Sequence, residues 1–269
     1  MDNHLSDADF NVFSEAAKQL AGIHLDQTKR QLVITRLMRR VRELDLDDLN
    51  SYRNFFADNR QAEEQNFVNA ITTNLTYFFR ESHHFDSLQA WVNEHRPRHL
   101  RVWSAACSSG QEPYSVAFAL DNTPANVATI NCTDIDTNCI QTAQRGVYRL
   151  SDIEELPPEQ QRQFFQKGTG KNDGMVRVKQ RYRDLLSFGQ LNLIDRWPEQ
   201  IYDIIFCRNV FIYFERDLQH KLLNKFAKHL APGGLLFLGH SELLDPDERL
   251  FEVIGKTTYR RTQYDSGEA

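Results

Sequence analysis

Short apolar runs of strand length alternate with helical patterns from Leu100 to near the end of the chain, and nothing of strand type precedes them. That order leaves few architectures. Strand and helix in alternation build βαβ units, so the chain reads as an α/β protein: a doubly wound, Rossmann-like sheet behind an all-helical segment. Residues 100–107 form the first strand candidate, followed by the turn Ser108-Ser109-Gly110 and a helix over 113–120. A second strand, 127–133, ends in Asp134-Ile135-Asp136 and leads to a helix running through Arg145. Residues 202–207 and 235–238 are further strands. The helix between them carries Leu222, Leu223, Phe226 and Leu230 and stops before Pro232-Gly233-Gly234. A closing antiparallel hairpin is expected at 250–254 and 257–261, around Gly255-Lys256. At about 151–188 the order breaks. An acidic helical piece with Pro157-Pro158 precedes a turn-rich run from Gly168 to Gly174, set between Phe164-Phe165 and Met175-Val176. That pattern reads as a small β-rich insertion.

The front third is helical. Phe10, Phe13, Ala17 and Leu20 share one helix face, opened by Ser6 with Asp9 three residues on and stopped by Gly22. A second helix spans 28–44 after Asp26, with Val33, Leu37, Val41 and Leu44 on one side and Lys29, Arg36, Arg39 and Arg40 on the other. Only Glu43 on that helix offsets the basic residues. Such a stripe suits an acidic partner surface, although an ordinary solvated face explains it as well. Shorter helices carry Leu49, Tyr52 and Phe56, then Phe67, Val68 and Ile71, so the bundle should end near Thr72. The segments are therefore 1–72, a helical domain; 73–98, a linker with a connecting helix; and 99–269, the sheet domain.

Among 269 residues, 32 Lys and Arg stand against 37 Asp and Glu, a net charge of −5. A nucleic-acid binder usually carries a basic surplus, so nucleic acid is not expected as a partner. The four cysteines include no Cys-x-x-Cys pair, and no metal site is expected. The apolar stretch 204–214 is broken by Arg208 and too short to span a bilayer. With no signal-type N-terminus, a cytoplasmic protein is expected.

Ligands of open α/β sheets bind beyond the carboxyl ends of the strands. Residues 104–112, Asp134, Asn192 and Arg208-Asn209 are the candidates there. Asp134 lies 24 residues past Gly110, about where an acid reaches the ribose of a nucleotide-like cofactor. Taken alone, Asp134 is as well explained as a helix N-cap. The turn is not G-x-G-x-x-G, which disfavours a dehydrogenase, and Glu112 at the helix start would repel phosphates but accept an amine. S-adenosylmethionine, with ribose and positive charge but no phosphate, suits such a site.

The segments 72–85 (TTNLTYFFRESHHF), 101–115 (RVWSAACSSGQEPYS), 206–214 (FCRNVFIYF) and 232–242 (PGGLLFLGHSE) resemble those of CheR-type chemotaxis receptor methyltransferases, in order and over nearly the whole chain. The resemblance implies methylation of glutamate side chains on the cytoplasmic helical bundle of chemoreceptors, with S-adenosylmethionine as cofactor and S-adenosylhomocysteine as product. It places cofactor contacts on Asn74, Thr76, Arg80, Glu112, Asp134, Asn192, Leu193, Arg208 and Asn209. It makes the basic second helix the receptor-docking element and the insertion a β-subdomain that holds a receptor C-terminal peptide in some members. A monomer recruited to membrane-bound receptor arrays, without inserting in the membrane, is the implied setting.

A glutamate carboxylate, pKa near ~4.3, is already an anionic nucleophile at neutral pH, so no general base is required. Arg80 could orient that carboxylate and Tyr213 could donate one hydrogen bond to it; these two are the expected catalytic residues. Each also has a plainer role, Arg80 serving only the cofactor and Tyr213 packing as an aromatic. Cys107 is expected to pack beneath the turn, and His83, His84 and His240 to serve as structural hydrogen-bond partners. Competing readings are a methyltransferase acting on amines or nucleic acid, and a non-catalytic module that senses the cofactor. Against the first, Arg208-Asn209-Val210 stands where amino-group enzymes often carry Asn/Asp-Pro-Pro-Tyr/Phe.

Overall fold

A computed structural model describes residues 5–245 and 247–263; the outermost residues of the first and last expected segments lie outside it. Helices α1 (Asp7–Ala21), α2 (Arg30–Glu43), α3 (Leu49–Asp58) and α4 (Arg60–Ile71) form the front bundle. Ser6 accepts from the Asp9 amide and caps α1, as its spacing predicts. Asp26 caps a 3₁₀ turn, Gln27–Lys29, that opens into α2. Phe13 is fully buried and stacks between Tyr52 and Phe67, with ring centroids 5.8 and 6.0 Å away. Three helices thus share one aromatic centre, a large apolar burial for a bundle this small.

The polar side of α2 departs from the expected stripe. Arg40 is largely buried against Glu63 of α4, whose carboxylate it meets at 2.6 Å through Nε and 2.8 Å through Nη2. Arg36 turns back to donate to the Ile71 carbonyl and, at 2.7 Å, to Thr73 Oγ1. Glu63, a full helix away in sequence, is the counter-charge that a reading confined to α2 does not contain. Lys29 and Arg39 are the members of the set that stay exposed.

Helix α5 (His83–His95) leads into β1 (Leu100–Ser104), α6 (Gln111–Leu120), β2 (Val127–Asp134) and α7 (Thr137–Arg145). The chain then makes β3 (Val147–Arg149), α8 (Pro158–Phe164), β4 (Phe165–Lys167), β5 (Met175–Val178) and the single turn α9 (Gln180–Arg183). It closes with β6 (Leu186–Gln190), β7 (Tyr202–Phe206), α10 (Arg216–His229), β8 (Leu230–Phe237), β9 (Phe251–Gly255) and β10 (Thr258–Arg261). The main sheet has the order β6-β2-β1-β7-β8-β10-β9, with its first five strands paired in parallel and β10 antiparallel to both β8 and β9. β1 sends the chain to β2 on one side and lies beside β7 on the other, so the topological switch point falls between β1 and β7. One face packs around Phe118, Phe164 and Tyr148, the other around Trp103, Trp197 and Phe226.

Two local readings need correction. Leu230 begins β8 rather than ending the preceding helix, and Pro232-Gly233-Gly234 lies inside that strand. Tyr202 pairs with Leu230 but Ile204 pairs with Leu235, so the extra residues bulge out of the ladder. The insertion forms a three-stranded antiparallel sheet, β3-β5-β4, whose first strand already starts at Val147. Its central strand is β5, paired on both sides, so Met175–Val178 offers no free edge. Leu186–Gln190 belongs to the main sheet, paired in parallel with β2.

Candidate active site

A cavity of about 380 Å³ lies at the seam between the bundle and the carboxyl ends of β1, β2, β6 and β7. That volume is in the range that small-molecule sites occupy. Its walls include all nine expected cofactor residues together with Tyr213, Lys29 and Arg36; Arg39 and Arg40 are not among them. Short polar contacts hold the two domains against each other around it. Asn69 donates to Thr137 Oγ1 at 2.9 Å, Thr72 to Asp136 at 3.0 Å, Asn192 to the Leu20 carbonyl at 2.8 Å, and the His24 amide to the Tyr213 carbonyl at 2.8 Å.

The deep end is built on β1 and β2. Asp134, 7% exposed, accepts the Ser108 amide at 2.7 Å and the Asp136 amide at 2.9 Å, one on each oxygen. It caps no helix. Asp136 does that, accepting from the Asn138 and Cys139 amides at the start of α7. One lone pair on each Asp134 oxygen is left for a diol. Burial pushes this carboxyl up to about 6, against the pull of the two amides. Gly110, at φ +98°, opens α6 where a Cβ would stand 2.8 Å from Ala143 Cβ and from Tyr148 Oη. Glu112 follows in the first turn of α6. Burial raises its carboxyl, while Arg208, at 3.2 Å, and the Ser104 hydroxyl, at 2.7 Å, favour the ionised form.

Arg208 and Asn209 extend from β7. The guanidinium is buried between Glu112 and Glu81, 3.2 Å from each, and also donates to the Arg80 carbonyl. Asn209 is held at φ +61° by Glu242, which accepts its amide at 2.8 Å, and its side chain donates to Glu81 at 3.2 Å. Gly239 makes this approach possible, since a Cβ there would fall 2.3 Å from Asn209 Nδ2. Glu81 and Glu242 are thus structural parts of the site that spacing arguments did not single out. Glu242 stands inside one of the matching segments, but only its burial reveals the role.

The expected residues differ in how free they are. Asn74 is committed to Asp136 at 2.6 Å and Asn192 to Leu20, so both hold the seam closed. Arg80 turns towards the Leu75 carbonyl at 2.7 Å and lies 5.8 Å from the Tyr77 ring centroid, leaving it unpaired with any carboxylate among the described residues. Tyr213 sits on the 3₁₀ turn Phe211–Tyr213 and packs against the helical bundle. Cys107 is fully buried, and burial pushes its thiol well up, so it is no nucleophile. His84, His83 and His240 stand outside the cavity. His84 meets Thr257 Oγ1 at 3.0 Å, and burial, with Arg208 nearby, lowers its pKa to about 3. Glu81, His83 and His84 bring ligand-type atoms within 4.8 Å of one another, but Arg208 already answers the carboxylate, which argues against a cation there. The histidine that does line the cavity is His24, paired with Glu215 at 3.1 Å, and the sequence reading did not mark it.

Two buried carboxylates on the cavity wall, Asp134 and Glu112, and a single glycine at the turn suit a nucleoside that carries positive charge. Two family models match most of the chain: the all-alpha domain of CheR methyltransferases matches residues 8–72, and their SAM-binding domain matches residues 74–260. The chain belongs to the CheR methyltransferase family. This CheR-family chain is 42% identical over 261 residues to the chemotaxis protein methyltransferase of Escherichia coli strain K12, covering 95% of this chain and 91% of that one. It is 44% identical over 264 residues to the Salmonella typhimurium protein of the same name, covering 95% and 90%. Chemotaxis protein methyltransferase 2 of Pseudomonas aeruginosa is 42% identical over 265 residues, covering 95% and 94%. The family assignment makes S-adenosylmethionine the cofactor. Among the described residues, no helix is long and apolar enough to cross a membrane.

Proposed function

We propose that this CheR-family methyltransferase esterifies glutamate side chains on the cytoplasmic helical domain of chemoreceptors. The observation that carries the reading is a sulfonium-type pocket opening at a seam whose other wall is the basic helix α2, in a chain 42% identical to a chemotaxis protein methyltransferase. When bound, S-adenosylmethionine supplies an electrophilic methyl carbon, to which a substrate carboxylate oxygen bonds as the C–S bond breaks and its electron pair stays on sulfur. Asp134 receives the ribose hydroxyls and Glu112 the ammonium, with Leu193 and Thr76 closing the adenine side and Arg208 and Asn209 setting the deep end. Arg80 holds the incoming carboxylate near the mouth, and Tyr213 donates one hydrogen bond to it. No residue takes a proton, because the nucleophile arrives ionised and the products are neutral. Charge disappears along the path, so the chain contributes dryness and alignment above all. Lys29 and Arg39 attract the acidic receptor surface. A monomer in the cytoplasm, recruited to membrane-bound receptors, fits this task.

The test is methyl transfer from radiolabelled cofactor to an isolated receptor cytoplasmic domain, with base-labile label expected on glutamate. Label on lysine, on nucleic acid, or on no receptor domain at all would reject the reading. A receptor tail peptide is a second partner, favoured by the free edges of β3 and β4 in the small sheet.

A further inference from the structure

Glu81 lies behind the cavity wall, not in it, yet it shares a guanidinium with a residue that does line the cavity. Arg208 is 2% exposed and meets Glu112 at 3.2 Å on one side and Glu81 at 3.2 Å on the other. Two carboxylates and one guanidinium leave this buried cluster one negative charge in excess. Of the two histidines beside Glu81, His84, 3.6 Å away, does not cancel it, being held neutral well below its ordinary pKa by burial and by Arg208, and His240, 3.2 Å away, is exposed on the solvent side of the cluster. Glu81 stays ionised: burial opposes its charge, but Arg208, the Asn209 amide group and the His240 amide overcome that and hold the carboxyl down to about 2. Without Glu81, Arg208 and Glu112 would form a simple pair with no net charge.

That excess bears on what the pocket holds before and after reaction. S-adenosylmethionine carries one net positive charge, whereas S-adenosylhomocysteine carries none. We propose that Glu81 is a positioning residue which divides Arg208 away from Glu112, and so tilts the pocket towards the sulfonium cofactor and away from its thioether product. Lys29, Arg36 and Arg80 also line the cavity, but they are more exposed than Arg208, so their charges are screened more strongly. The inference rests on Glu112 facing the cofactor, as assigned above.

Calorimetry with both ligands on the intact protein tests it. Glu81→Gln should raise the ratio of the two dissociation constants, S-adenosylmethionine over S-adenosylhomocysteine, by on the order of tenfold, the scale of one charge in a partly dry site. Glu81→Asp keeps the charge, so the ratio should hold near wild type even if both affinities fall. Equal loss of both affinities in Glu81→Gln, or no change in either, would overturn the proposal and leave Glu81 a structural prop. If near-ultraviolet circular dichroism shows that the glutamine variant does not fold, Glu81→Met removes the charge without adding hydrogen-bond demands and gives the same two outcomes. Glu112→Gln separates the premise: unchanged affinity for both ligands there sinks the Glu112 assignment, whatever Glu81 does.

Discussion

Asp134 is the residue whose chemistry can be followed most directly by pH. Its carboxyl is pushed up to about 6 by burial, yet ribose hydroxyls donate best to its ionised form. Cofactor affinity should therefore rise as pH climbs through about 6 and fall below it, and calorimetry on Asp134→Asn should show weaker, pH-flat binding. For folding the sign runs the other way. The folded pKa lies above the unfolded value of about 3.9, so the contribution of Asp134 to stability is full below about 4 and is lost as pH rises towards 6. Arg80→Ala and Tyr213→Phe probe the substrate side. Arg80→Ala should lose the larger part of single-turnover rate, while removal of one neutral hydrogen bond at Tyr213 should cost about 1 kcal/mol, roughly fivefold. Cofactor affinity measured alongside separates lost binding from lost alignment. His24 faces the cavity, so it is the residue to watch for a hidden base. Single-turnover rate in His24→Asn should keep the wild-type pH profile above pH 7; loss of an inflection in that variant would require general-base catalysis.

At the scale of elements, α2 illustrates what a sequence can and cannot say. Helical spacing placed Val33, Leu37 and Val41 on the buried side, where they are found, because that periodicity is local. It put Arg36 and Arg40 on a docking stripe because the partners that claim them, Ile71, Thr73 and Glu63, come from 23 to 37 residues later in the chain. Charge reversal at Arg39, exposed and off the cavity wall, is thus the cleaner test of docking. It should raise the apparent KM for receptor domain and leave cofactor affinity alone, with salt weakening the wild-type encounter in the same direction. Arg40→Glu would instead strand Glu63, 3% exposed, and should show first as a lower melting temperature. The insertion repeats the point. Its turn residues were legible from Gly168 to Gly174, but strand order was not, since the sequence carries no sign that Val147–Arg149 would pair with β5 and leave Met175–Val178 in the middle. A tail peptide must then use an outer strand, and Lys167→Pro in β4 should weaken such binding while cofactor binding persists.

For the whole molecule, alternation of strand and helix was enough to anticipate the parallel sheet, because burial on both faces writes itself into apolar runs. The carboxyl-end rule then located Asp134, Glu112 and Arg208 at one cavity. What stayed hidden was the depth behind it: Glu81 and Glu242 look like ordinary surface acids until the β7 and β8 loops close around them. The same distribution shapes how the protein is made. The cavity draws one wall from residues 21–36 and another from 191–214, so no partial chain leaving the ribosome can possess it. The bundle has its own aromatic centre and can settle early, but it gains nothing from the cofactor until β7 and the turn after it have been delivered. Nucleoside capture therefore comes late in biogenesis, and it marks the finished molecule as one unit where its history was two.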